Sequence, residues 1–124
     1  MTRLLLIDND EDYRKALSVR LRAEGFEVAT AASGEEAVRL TARQVPDLIL
    51  LDKRMPGKGG EIVYGELRAT AALREVPIIL MTGELPAARW EPLIHPAGGR
   101  AYLLGKPEDH KPLVARIREL LGPA

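Results

Sequence analysis

Five short apolar runs alternate along the chain with longer stretches of helical period, and this alternation most narrows the fold. The runs are Leu4 to Asp8, Glu27 to Thr30, Leu48 to Asp52, Ile78 to Thr82 and Ala101 to Leu104. Strands separated by helices imply repeated βα units and a mostly parallel sheet. The first helix, about Glu11 to Glu24, keeps Tyr13, Leu17 and Leu21 on one face and stops at Gly25, which suits a left-handed cap. The second opens with Ser33-Gly34-Glu35-Glu36, the spacing of a capping box, and turns Ala37, Val38 and Leu40 inward. The third runs from about Gly60 to Thr70. The last, about Asp109 to Leu121, points Leu113, Ile117, Leu120 and Leu121 at the core. Between Thr82 and Ala101, Pro86, Pro92, Pro96 and Gly98-Gly99 limit any helix to a short one.

At 124 residues with 46% apolar content, the chain suits one domain, residues 1–124, with no room for a second. Lysine and arginine total 18 and aspartate and glutamate 18, with no block of like charge, so neither nucleic acid nor a membrane surface is an expected partner. The apolar start, Leu4 to Ile7, runs into Asp8 and is too short for a secretory or spanning segment, so a cytoplasmic location is expected. The absence of cysteine excludes disulfides and thiolate catalysis, and His95 and His110 make no metal-ligand spacing. His110 reads as a solvated helix residue.

The chemistry collects at the strand ends. Asp8, followed by Asn9 and Asp10, closes the first strand, Asp52 the third and Thr82 the fourth, while Lys106 follows the fifth. In a doubly wound sheet of order 2-1-3-4-5 the first and third strands flank the switch point, so Asp8 and Asp52 are expected to meet. Two adjacent carboxylates repel, and a raised pKa or a bound cation relieves them. Hard oxygen ligands with open positions favour Mg²⁺, which commonly bridges to a phosphate. A nearby lysine and hydroxyl would then contact phosphate oxygens, and Asp52 itself could be the nucleophile.

The stretches Leu5 to Arg14 (LLIDNDEDYR), Asp47 to Gly60 (DLILLDKRMPGKGG), Ala71 to Thr82 (AALREVPIILMT) and Lys106 to Leu121 (KPEDHKPLVARIRELL) together resemble a response-regulator receiver domain. The resemblance implies a flavodoxin-like (βα)5 fold with a five-stranded parallel sheet. It implies that Asp52 accepts a phosphoryl group from a histidine kinase or phosphotransfer protein, with Thr82 and Lys106 contacting that group. Asp8, Asn9, Asp52 and the Arg54 backbone carbonyl would hold Mg²⁺. It also implies a cis Lys106–Pro107 bond, a side chain at Arg54 that tunes water attack, and an unknown downstream protein read through the fourth helix, fifth strand and fifth helix. With no output domain after Ala124, regulation is expected in trans, unless the chain is a piece of a longer protein.

Departures from the family stand out at Asn9, at Leu103 and in the fourth connection. Asn9 replaces a second acid, so Mg²⁺ is expected to bind more weakly, with Asp10 as a possible substitute. Leu103 stands where receivers commonly carry an inward-turning aromatic, and Tyr102, one residue off, belongs on the opposite face. Gly105 is expected to leave the backbone flexible at Lys106. In the broken fourth connection, Trp90 with Leu93 and Ile94 reads either as an exposed anchor for a partner or as a core residue covering the fifth strand. Two other functions stay open. One is a phosphorylation-independent docking module of the same fold. The other is a haloacid-dehalogenase-type phosphatase, in which Asp8 would attack phosphate and Asp10 serve as acid and base, because LLLIDND also resembles that motif.

Overall fold

A computed structural model describes residues 1–55 and 57–122; Pro56, in the turn after the third apolar run, lies outside them, as do Pro123 and Ala124. Among the described residues, β1 (Arg3–Ile7), β2 (Glu27–Ala31), β3 (Leu48–Asp52), β4 (Ile78–Thr82) and β6 (Ala101–Gly105) pair in parallel in the order β2-β1-β3-β4-β6. The expected parallel core is therefore present. Two corrections apply: a sixth strand, β5 (Trp90–Pro92), pairs antiparallel with the free edge of β6, and the helices number four rather than five. They are α1 (Glu11–Ala23), α2 (Gly34–Arg43), α3 (Gly60–Arg68) and α4 (Lys111–Leu121), with one 3-10 turn at Ala71–Leu73.

The central strands are apolar throughout because helices cover both faces of the sheet. Leu5, Ile7, Ile49, Leu51, Ile78 and Leu80 pack on one side with Ala37 of α2 and Val63, Tyr64 and Leu67 of α3. Leu4, Leu6, Leu48, Leu50, Ile79 and Met81 pack on the other with Leu17 and Leu21 of α1 and Leu113, Val114 and Ile117 of α4. Successive residues alternate between the two cores, so a one-residue slip would exchange every one of these side chains. Register is thereby held by both faces at once.

Local signals close the helices. The Asp10 carboxylate accepts from Tyr13 N at 3.1 Å and caps α1, and Gly25 follows with φ 100°. Ser33 Oγ accepts from Glu36 N at 3.2 Å, while Glu36 reaches back to Ala32 N, one residue before the reciprocal partner that the capping box prescribes.

The fourth connection takes a course no helical period foretells. A turn closes from Arg89 N to Pro86 O at 3.0 Å, with Ala88 in the left-handed region at φ 65°. The chain then pairs with β6: Gly105 N donates to Arg89 O, Ala88 N to Gly105 O and Leu93 N to Ala101 O, each at 2.9 Å. Trp90 stacks on Tyr102 with ring centroids 4.8 Å apart and planes 11° apart, and the Arg116 guanidinium lies over the Trp90 ring at 4.8 Å from its centroid. The tryptophan thus covers the last parallel strand. Leu103 packs on the α2–α3 side and Tyr102 on the α1–α4 side, the opposite orientations expected of them.

Residues 93–100 take the place of a fourth helix against α3. The His95 ring meets Tyr64 at 4.6 Å, and Tyr64 Oη donates to Gly98 O at 2.6 Å. Arg68, only 5% exposed, donates to Tyr64 Oη and to the carbonyls of Leu73, Val76 and Arg100 at 2.6–2.8 Å. Gly99, at φ 90°, is required because a Cβ there would overlap the Arg68 guanidinium. Among the described residues no helix is long and apolar enough to cross a membrane.

Candidate functional site

The ladders run one residue past the strands and fix the site by backbone hydrogen bonds. Asp8 N donates to Ala31 O at 3.0 Å, Lys53 N to Met81 O at 2.9 Å and Lys106 N to Thr82 O at 2.8 Å. Asp8, Asp52, Thr82 and Lys106 therefore share the carboxyl edge of the sheet, where such folds place their ligands. α3 presses on the end of β3, since Gly60 N donates to Lys53 O at 2.9 Å and any Cβ on Gly60 would crowd the Asp52 carbonyl.

Asp8 is fully buried, and Asp52 and Thr82 nearly so. Lys106 Nζ lies 3.6 Å from Asp8 Oδ2 and 3.6 Å from Asp52 Oδ1. Asp52 Oδ1 also accepts from Arg54 N at 3.2 Å. Asp8 Oδ1 accepts from Asp10 N at 2.9 Å, and Arg14 Nη1 donates to the Asp8 carbonyl at 2.7 Å. Burial holds the Asp8 carboxyl above its ordinary pKa; the Asp10 N–H opposes this, the Asp52 charge adds to it, and Lys106 opposes it in turn. Thr82 Oγ accepts from Glu84 N at 3.0 Å, and Glu84 pairs with Lys53 at 3.6 Å.

The donor set fits a hard cation. Asp8 Oδ2 is the one buried side-chain oxygen or nitrogen among the described residues with no hydrogen-bond partner, and it faces the Asp52 carboxylate. The two acids with a carbonyl and an amide oxygen suit Mg²⁺, which takes few protein ligands and keeps waters. The set holds one carboxylate fewer than a three-acid site, and among the described residues no three acidic or imidazole groups converge. Asn9 is exposed and lines a cleft with Ser33, Gly34, Met55 and Gly57. Asp10 caps α1, its Oδ1 accepting from Tyr13 N at 3.1 Å.

Two further expectations are corrected. No cis peptide occurs among the described residues, so the Lys106–Pro107 bond is trans. Gly105 is not a flexible hinge: both its backbone groups are bonded to the 88–89 segment, and its missing side chain makes room for the Pro86 carbonyl. His110 caps no helix through its side chain and lies between Glu24 and Asp109, at 3.4 and 3.3 Å.

Sequence reasoning did not assign Tyr13 or Arg14 to the site. Lys106 Nζ stands 4.2 Å from the centroid of the Tyr13 ring. Burial, with the charges of Asp8 and Asp52, pushes the Tyr13 phenol up to about 12. Both residues lie in the first turn of α1, within helical reach of Asp8, and that proximity was the available signal.

The Response regulator receiver domain family model matches residues 4–118. The chain is 40% identical over 121 residues to the transcriptional regulatory protein AfsQ1 of Streptomyces coelicolor, covering 98% of the chain and 52% of AfsQ1. It spans between 26% and 52% of the length of the curated relatives first matched. The response regulator TrrA of Thermotoga maritima, solved in complex with Mg(2+)-BeF, superposes with a TM-score of 0.78 at 30% identity, covering 98% of this chain and all of that one. TrrA in complex with the histidine kinase ThkA superposes at 0.79 and 29% identity, with 98% and 100% covered.

Proposed function

The chain belongs to the response regulator receiver domain family, and from that premise we propose that Asp52 accepts a phosphoryl group from a histidine kinase or phosphotransfer protein and that its acyl phosphate regulates a partner protein. The observation that carries this reading is the position of Lys106, whose ammonium reaches Asp8 and Asp52 equally. An Asp52 oxygen forms the new bond to phosphorus while the donor leaves with its electron pair. Lys106 neutralises the phosphoryl oxygens, and the Arg54 N–H orients the attacking carboxylate. Thr82 accepts from Glu84 N, which leaves its own hydroxyl proton available for a phosphoryl oxygen. Mg²⁺ would be held by Asp8, Asp52, the Asn9 amide oxygen and the Arg54 carbonyl, and when bound it supplies charge neutralisation to phosphoryl transfer.

Incubation with acetyl phosphate, with and without Mg²⁺, followed by intact-mass measurement, tests this reading. One phosphoryl group is expected on the wild type and none on Asp52→Ala; labelling of both proteins, or of neither, would refute the assignment.

A second reading, constitutive docking without phosphorylation, is favoured by Asn9 and by the lack, among the described residues, of a helix between β4 and β6 on the expected output face. Partner affinity unchanged by Asp52→Ala and by acetyl phosphate would select it.

A further inference from the structure

Lys106 is held from three directions, and the proposed chemistry uses only two of them. Its ammonium lies between two carboxylates, each at 3.6 Å, and over the face of Tyr13 at 4.2 Å. That distance is well inside the range in which an aromatic quadrupole attracts a cation. Tyr13 is itself firmly placed. Its backbone N–H is bonded to the Asp10 cap, and its side chain packs against the core on the α1–α4 side. Lys106, by contrast, keeps 30% of its side chain exposed on a flexible stem, so two carboxylates alone do not set its direction. The ring attracts the ammonium without occupying an N–H donor. All three donors stay available to Asp8, Asp52 or a phosphoryl oxygen.

We propose that Tyr13 is a positioning residue for phosphoryl transfer to Asp52, its ring face holding the Lys106 ammonium in place at the pocket. The proposal rests on Asp52 being the phosphoacceptor. With acetyl phosphate as donor, an Asp52 carboxylate oxygen bonds phosphorus, the bond from phosphorus to the acetyl oxygen breaks, and acetate leaves with the electron pair. Lys106 meets the transferring oxygens, and Tyr13 acts only through Lys106.

The test uses Tyr13→Phe and Tyr13→Leu, each with Lys106 intact and with Lys106→Met. The first readout is the NMR shift of the Lys106 ε-methylene protons in donor-free protein, and the second is the labelling rate with acetyl phosphate and Mg²⁺. Phenylalanine is expected to keep the upfield ring-current shift and a rate within about twofold of wild type, whereas leucine loses the shift and slows labelling roughly threefold to tenfold. In the Lys106→Met background the leucine effect should vanish, because the ring then has no cation to hold. Unshifted Lys106 methylenes in the wild type, or equal slowing by leucine in both backgrounds, would overturn the proposal. If no variant labels at all, the phosphoacceptor reading fails, and the shift still decides the contact. Should Tyr13→Leu not fold, pentafluorophenylalanine at position 13 keeps the ring shape but reverses its face charge; the same slowing is expected, and an undiminished rate counts against the proposal.

Discussion

Gly105 and Pro86 approach so closely that no side chain fits between them: a Cβ on Gly105 would overlap the Pro86 carbonyl oxygen. Because the contact is with backbone, it cannot be relieved by a rotamer change. Gly105→Ala is therefore expected to lower the unfolding free energy by about 2–3 kcal/mol. Urea denaturation followed through Trp90 fluorescence checks this, since Trp90 is the only tryptophan and lies on the displaced strand. A loss under about 0.5 kcal/mol would contradict the packing of this loop.

Ala88 adopts φ 65° in the turn that leads into β5. An L side chain is strained there and glycine is not, so Ala88→Gly should raise stability by about 0.5–1 kcal/mol. The same denaturation experiment measures it, and a decrease would argue that the turn is not left-handed.

Arg68 satisfies four backbone carbonyls from inside the protein, two of them on the buried residues Leu73 and Val76. Replacing it with Met strands those acceptors, and a loss of about 3 kcal/mol is expected. Lysine should rescue little, because one ammonium cannot spread across the positions that a guanidinium spans. Tyr64→Phe should cost about 1 kcal/mol, and the double variant less than the sum, because Tyr64 Oη and Arg68 Nε share a hydrogen bond.

Asn9→Asp adds a third carboxylate at the mouth of the pocket. The expected result is tighter Mg²⁺ binding, of order tenfold, measured by calorimetry. Unchanged affinity would mean that position 9 does not reach the metal.

Asp8 carries a pH signature. Burial and the Asp52 charge raise its pKa above the ordinary 3.8. The folded protein therefore holds a proton at pH values where the unfolded chain has released it, and stability falls as pH rises through that window. The destabilisation is fully present above the raised pKa. In metal-free buffer Asp8→Asn should be more stable than wild type at neutral pH by about 1 kcal/mol, the gap closing as pH falls toward 4. A gap independent of pH would exclude this origin.

The parallel core was legible because apolar runs and helical periods are local properties of the chain. The cluster of Asp8, Asp52, Thr82 and Lys106 was legible for a related reason: each closes or directly follows a strand, and parallel strands end on one edge. Less could be read around it. Asp10 looked like a spare ligand, and only the placement of α1 showed its carboxylate bound to Tyr13 N. Tyr13 looked like a core-face residue, and only the meeting of α1 with the end of β6 put its ring beneath Lys106.

What the sequence determined by itself was the alternation of strands and helices, the residues gathered at the strand ends, and the exclusion of a long fourth helix by proline. What filled the gap was a tertiary decision. Prolines forbid a helix without specifying a substitute, and the substitute arose because β6 left its outer edge unpaired and Gly105 left room for a chain to lie against it. Edge pairing and a buried guanidinium join residues far apart in the chain, so no local pattern announces them.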